Sequence, residues 1–385
     1  MSPPIRALAV ASGIALAALS AAVPANASPG PVVTIVAHGL NEPRHLTYGP
    51  GGLYVAEGGA GGTSCTTVDG ASYCEGETGS VVLVESSGVK TVLGGLPSAI
   101  DPDEGPVGPA AVTFDRGRLA VLFQDTAVNQ DGTTSVRGPG AGLLGKLLLA
   151  VPFAGQAGWS TGPDVAAFAA AHPQDPATLG GPPGQESAYD SDPYDIVPYD
   201  GGYAIADGAA NDVLWLSPSG SLSVLDRLPT EPETVPAGVL GPDPVTIDAQ
   251  AVPDSLAVGP DGALYVASLP GFPSLPGTSR IYRLMPGHKP AVVVAGLTEA
   301  TGIAFDRQGR LLVTEIDTAG GLSSGSAPGA LLRVSRTGSV STLPVTGLSQ
   351  PTSVAVGPDG SVYVDINGDS STAGSGEVLK ITGLG

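Results

Sequence analysis

The chain is poor in the side chains that usually carry chemistry. Its 385 residues include 2 cysteines, 4 histidines and 2 tryptophans, and 16 lysines and arginines stand against 36 acids. A formal charge of −20 repels phosphate backbones and sets nucleic acid aside as a partner. Two cysteines without a neighbouring thiol or imidazole pair exclude a structural zinc site in their loop. No Gly-x-Ser-x-Gly turn links a strand to a helix, so nothing marks a nucleophile elbow. Beyond the N-terminus no apolar run approaches membrane-spanning length.

Glycine and proline are abundant instead, 57 and 37 residues, while apolar residues make up 42% of the chain. That combination is too broken for a helical protein and too apolar for a disordered one. A single phrase recurs about six times: an apolar strand, a Gly/Asp turn and a second apolar strand. It spans residues 43–55, 109–121, 193–205, 253–266, 300–313 and 351–364. The sixth copy reads Pro351-Thr-Ser-Val-Ala-Val-Gly-Pro-Asp-Gly-Ser-Val-Tyr-Val364. Each copy is a β-hairpin signal, and the material between copies supplies a second hairpin. Four strands repeated six times predict an all-β, six-bladed β-propeller. The sixth unit lacks a fourth strand, and residues 31–40 resemble the fourth strands elsewhere. Pairing that segment with residues 377–382 is expected to close the ring and remove a sheet edge.

Residues 1–27 read as a secretory signal peptide: a short basic start, an apolar run and an Ala25-Asn-Ala27 cleavage site. Residues 28–385 are then one propeller, exported, with no membrane span in the mature chain and expected as a monomer. Cys65 and Cys74 fall in one Gly-rich loop and are expected to form a disulfide in an oxidising compartment. Near residues 161–191 an insert departs from the repeat. Asp164 and an Ala-rich run to His172 predict a short helix, followed by a surface loop.

Aligned repeat positions converge on a propeller's central channel, so they are where chemistry is sought. The second strands end at Glu57, Phe123, Asp207, Ser268, Glu315 and Ile366. Glu57, Asp207 and Glu315 are candidate ligands for a divalent cation such as calcium, and equally candidate strand-end caps. Asp365, Asn367 and Asp369 alternate oxygen donors as a calcium loop does, without the EF-hand glycine or glutamate at their usual places. The first strands begin with Arg44-His45, Ala110-Ala111, Tyr194-Asp195, Asp254-Ser255, Thr301-Gly302 and Thr352-Ser353. Their variability suits a channel mouth, and His45 and Asp195 are the candidate acid/base groups.

The segments Asp190-Ser-Asp-Pro-Tyr-Asp195, Gly201-Gly-Tyr-Ala-Ile-Ala-Asp207, Asn211-Asp-Val-Leu-Trp215 and 252–266, with Gly271-Phe-Pro273, resemble the ScyD/ScyE family. These are secreted propeller-like proteins with repeats akin to the NHL type. The resemblance spans the mature chain and implies an NHL-like fold, but it carries no mechanism onto particular residues. Asp192 departs from the asparagine expected before the Pro-Tyr. Two functions remain open. One is a binding or scaffold propeller holding a small molecule or extracellular protein. The other is a metal-dependent hydrolase or lactonase with Glu57, Asp207 and Glu315 around a divalent ion.

Overall fold

The computed structural model describes residues 30–68, 71–101, 105–125, 142–182, 189–323 and 327–385. The expected signal peptide therefore lies outside the described residues, as does most of the loop from 125 to 142.

Six antiparallel sheets surround a central channel, making a six-bladed β-propeller. The inner strands are Pro43–Gly49, Pro109–Asp115, Pro193–Tyr199, Pro253–Val258, Ala300–Phe305 and Val354–Val356, and these six open the six copies of the repeat. In each blade the inner strand turns into a second strand through the Gly/Asp turn. At the fourth and sixth turns, Gly262 and Gly360 have φ of 78° and 83°. A side chain is disfavoured in that region, which is why the phrase ends in glycine. Asp261 and Asp359 brace the same turns by accepting the amides of Ala263 and Ser361.

The ring closes as the sequence predicts. Val32–Leu40 is the outer strand of the sixth blade and pairs antiparallel with Gly376–Thr382 in the register Val32↔Thr382. Between blades the apolar faces meet in six clusters, one at each interface. Tyr54, Leu83, Val112 and Leu119 join the first and second blades, for example, and Leu312, Leu331, Val354 and Val364 the fifth and sixth. Each blade is too thin to bury both faces alone, so neighbours complete one another.

Three features depart from a uniform four-stranded unit. The first blade has six strands, because Ala71–Glu85 and Gly88–Asp101 run past the blade and pair with Ser64–Val68 and Gly105–Val107. A two-stranded hairpin, Glu231–Val235 with Val245–Ala249, stands between the third and fourth blades. In the insert, the helix Val165–Ala171 forms with Asp164 accepting the Ala167 amide at 2.8 Å. The segment after it is not only surface loop, since a helical turn at Pro176–Leu179 buries Leu179.

Cys65 and Cys74 form the expected disulfide, linking Ser64–Val68 to Ala71–Glu85. Among the described residues no helix is long and apolar enough to cross a membrane.

Candidate functional site at the channel mouth

Each inner strand begins at the same end of the channel, and its first residues form three layers from the mouth inward. The outermost layer is the residue before each copy of the repeat: Glu42, Gly108, Asp192, Val252, Glu299 and Gln350. Its carbonyl accepts an amide from just beyond the second strand of the same blade. The amides of Gly58, Gln124, Gly208, Leu269, Ile316 and Gly368 make these clasps at 2.8–3.1 Å. Glu42, Val252, Glu299 and Gln350 adopt φ of 51°, 45°, 45° and 44°. A left-handed conformation costs a non-glycine residue about 1–2 kcal/mol. The clasp on one side and the following strand on the other hold it there, and Glu42 and Glu299 thereby reach the mouth.

Two residues further in stand Arg44, Ala110, Tyr194, Asp254, Thr301 and Thr352. Arg44 is the hub: its guanidinium donates to Glu42 at 3.0 Å, to the Pro106 carbonyl at 2.8 Å and to the Tyr194 hydroxyl at 3.2 Å. It also lies 5.8 Å from the centre of the Tyr194 ring. Around this one cation gather Glu42, Asp192, Asp254 and Asp369. Burial dominates their ionisation. It lifts Glu42 to about 7 and Asp192 to about 6 against the pull of Arg44, and raises Asp254 well above the usual carboxylate range. Asp369 is raised too, although it is exposed to solvent, as a group lining a concavity is.

Several oxygens here have no hydrogen-bond partner among the described residues. They are Oε1 of Glu42, Oε1 of Gln124, Oδ1 of Asp192 and Oδ2 of Asp254. The side chains of Glu42, Gln124 and Asp254 retain 2–4% exposure. Buried acceptors are rarely left without a donor.

The third layer is His45, Ala111, Asp195, Ser255, Gly302 and Ser353, and it acts as a girdle. The amide of the next residue on one inner strand donates to this side chain on the preceding blade. Ser353 accepts from Leu46 at 3.1 Å, His45 from Val112 at 3.5 Å, Asp195 from Leu256 at 2.7 Å and Ser255 from Ile303 at 3.2 Å. Ala111 and Gly302 cannot take part. At Gly302 a Cβ would come within 2.8 Å of the Ser353 backbone. The candidate acid/base pair is thus brought together, with His45 Nε2 3.0 Å from Asp195, while both residues also bind blade to blade. Burial opposes charge on His45, but Asp195 together with Asp365 and the Val112 contact outweighs it, and the net shift is upward.

The carboxylates that end the second strands serve the backbone. Glu57 accepts from the Asn41 amide at 2.8 Å and from the Ser80 hydroxyl. Asp207 accepts from the Asp192 amide at 2.7 Å and the Ser191 hydroxyl at 2.6 Å, and Glu315 from the Thr298 amide at 2.7 Å. Asp365 does the same for Thr352 and Ser353 in the sixth blade. All four fasten the connection that leads into the inner strand of their own blade. The calcium-like segment also diverges: Asn367 donates to the Ser375 carbonyl at 2.9 Å, whereas Asp369 faces the mouth. Among the described residues no three His, Cys, Asp or Glu side chains gather closely enough to hold one metal ion. Neither expected donor set, Glu57 with Asp207 and Glu315 or Asp365 with Asn367 and Asp369, is brought together.

The mouth widens over the fourth to sixth blades into a cavity of about 350 Å³. Pro270, Phe272 and Ile316 supply its apolar wall, and Glu299, Asp317 and Asp369 its acids.

No protein-family model and no curated protein matches the chain. Solved structures do match in shape. A glucose dehydrogenase is 15% identical with a TM-score of 0.55, over 91% of this chain and 99% of that one. The soluble aldose sugar dehydrogenase of Escherichia coli is 15% identical with a TM-score of 0.52, over 91% and 99%. A Thermus thermophilus oxidoreductase described as a glucose dehydrogenase is 18% identical with a TM-score of 0.52, over 92% and 100%. The likeness is one of fold.

Sequence reasoning placed the mouth at the starts of the inner strands and named Arg44, Tyr194 and Asp254 within it. It missed Glu42, Glu299 and Gln124. The usable signal was the residue before each repeat's opening strand, where Glu42, Asp192, Glu299 and Gln350 are polar amid a monotonous phrase.

Proposed function

We propose that this chain is an extracellular binding propeller, of the ScyD/ScyE type that its sequence resembles, and that its acid-lined channel mouth captures a positively charged ligand. One observation carries the reading: the buried oxygens of Glu42, Gln124, Asp192 and Asp254, without a donor among the described residues, beside a single arginine whose terminal nitrogens bond the other Glu42 oxygen, the Pro106 carbonyl and Tyr194. A ligand bearing N–H donors and positive charge supplies what those oxygens lack. The clasped, strained residues at the rim supply a rigid scaffold for such recognition.

The metal-dependent lactonase is the weaker alternative, because the carboxylates it needs are bonded to amides on separate blades. Thermal shift with calcium, magnesium, organic amines and matched neutral and anionic compounds tests the proposal. Cations should raise the melting temperature of the natural protein and lose most of that effect in Asp254→Asn. Chelator-sensitive lactone hydrolysis abolished by Glu315→Gln would overturn it in favour of the enzyme.

A further inference from the structure

Resting on that reading, we infer that the occupant is an alkylamine, a hydrocarbon chain ending in primary ammonium groups, and not a single metal ion. The mouth offers two surfaces that a bare ion cannot use together. On the first, third and fourth blades lie the oxygens of Glu42, Asp192 and Asp254 that have no donor among the described residues, and Asp254 retains only 4% exposure. Toward the fourth to sixth blades lies the cavity, where Phe272, Pro270 and Ile316 present hydrocarbon to the same space as Glu299 and Asp369. Asp369 joins the two halves, since it lines the cavity and also acts electrostatically on Arg44, Glu42 and Asp254.

Charge spread this way suits a spread cation. Among the described residues the acids do not gather in threes, as a carboxylate-rich site for a single metal ion would have them. An ammonium group has three donors that can be shared among separated carboxylates. An alkyl stem behind it gains from covering Phe272 and Ile316. The cavity of about 350 Å³ is at the lower end of the range for small-molecule sites and accommodates a chain of several methylenes. Glu42 on the first blade and Asp254 on the fourth stem from opposite blades of the ring, an arrangement that suits an ammonium at each end. Arg44 leaves these particular oxygens without a donor, because its terminal nitrogens are directed at Glu42 Oε2, the Pro106 carbonyl and Tyr194, and its Nε has no acceptor among the described residues.

Calorimetric titration of the mature protein with 1,8-diaminooctane, 1,4-diaminobutane and calcium chloride at matched ionic strength tests this. The longer diamine should bind at least about tenfold more tightly than the shorter, the return on two or more further buried methylenes. Phe272→Ala should abolish that preference while both diamines still bind. Asp254→Asn, which removes the capacity of a buried acid to carry negative charge toward a cation without changing its shape, should weaken both diamines by about tenfold or more. Equal affinity for the two diamines, or calcium binding more tightly than either, overturns the alkylamine and leaves the cation reading standing. Silence from all three ligands overturns both.

Discussion

At the scale of single residues, the channel divides into side chains that hold the ring and side chains that await a partner. Asp195 belongs to the first group. One carboxylate accepts the amides of Ile196 and Leu256, the Ser255 hydroxyl and the His45 imidazole, so three blades depend on it. Asp195→Ala leaves those donors buried without an acceptor and should cost roughly 3 kcal/mol or more, with Asp195→Asn recovering part of it. Urea unfolding measures this, and an alanine variant within about 0.5 kcal/mol of the natural protein would show the girdle to be dispensable. Glu42 and Asp254 behave oppositely, because their orphaned oxygens make neutral replacements benign for folding and costly for binding. The sequence shows both sets only as polar interruptions of an apolar phrase. What separates them is whether a neighbouring blade aims an amide at them, and no local pattern carries that information.

At the scale of elements, the hairpins were legible because alternation and a glycine turn are local facts. The six-stranded first blade was not. Its long strands carry register shifts between Gly76 and Val82, and their pairing with Ser64–Val68 is settled by tertiary contacts and the disulfide. The hairpin at 231–249 escaped for the same reason: its proline-rich sequence reads as loop, and it is held against the fourth blade by Glu231 with Arg280 and by Glu233 with the Leu275 amide. Because the disulfide lies within this extension and outside the blade's four radial strands, replacing Cys65 and Cys74 by alanine should act locally. The loop entropy it removes amounts to about 2–3 kcal/mol at most. Hydrogen exchange should quicken in residues 64–75 with the inner strands still protected. Equal loss of protection in Pro43–Gly49 would mean that the bridge supports the ring.

At the scale of the whole molecule, buried acids set the response to pH. Glu42, Asp207 and Asp365 are raised to about 7 and Asp192 to about 6, each chiefly by burial. Their folded values exceed the unfolded ones, so the folded state binds the extra protons. Their contribution is full below about pH 4 and is lost as pH rises through 6 to 7. His45, also raised, has the same sign. The melting temperature should therefore fall between pH 5 and pH 8, and Glu42→Gln should flatten that fall. A melting temperature that climbs over this interval would contradict the burial of these groups. The overall ring was the most legible feature of all, since a phrase repeated six times admits few folds and the missing last strand had one candidate.

Closure by Val32–Leu40 has a consequence in time as well as in space. This strand precedes every blade along the chain, yet its partner Gly376–Thr382 follows all the other strands of the ring. Its apolar Val32, Val33 and Ile35 remain exposed even in the finished ring. During synthesis they have no sheet to join, so the interval before closure is when the nascent chain is most open to pairing with a stranger, and a helper that shields one short segment would suffice to protect it.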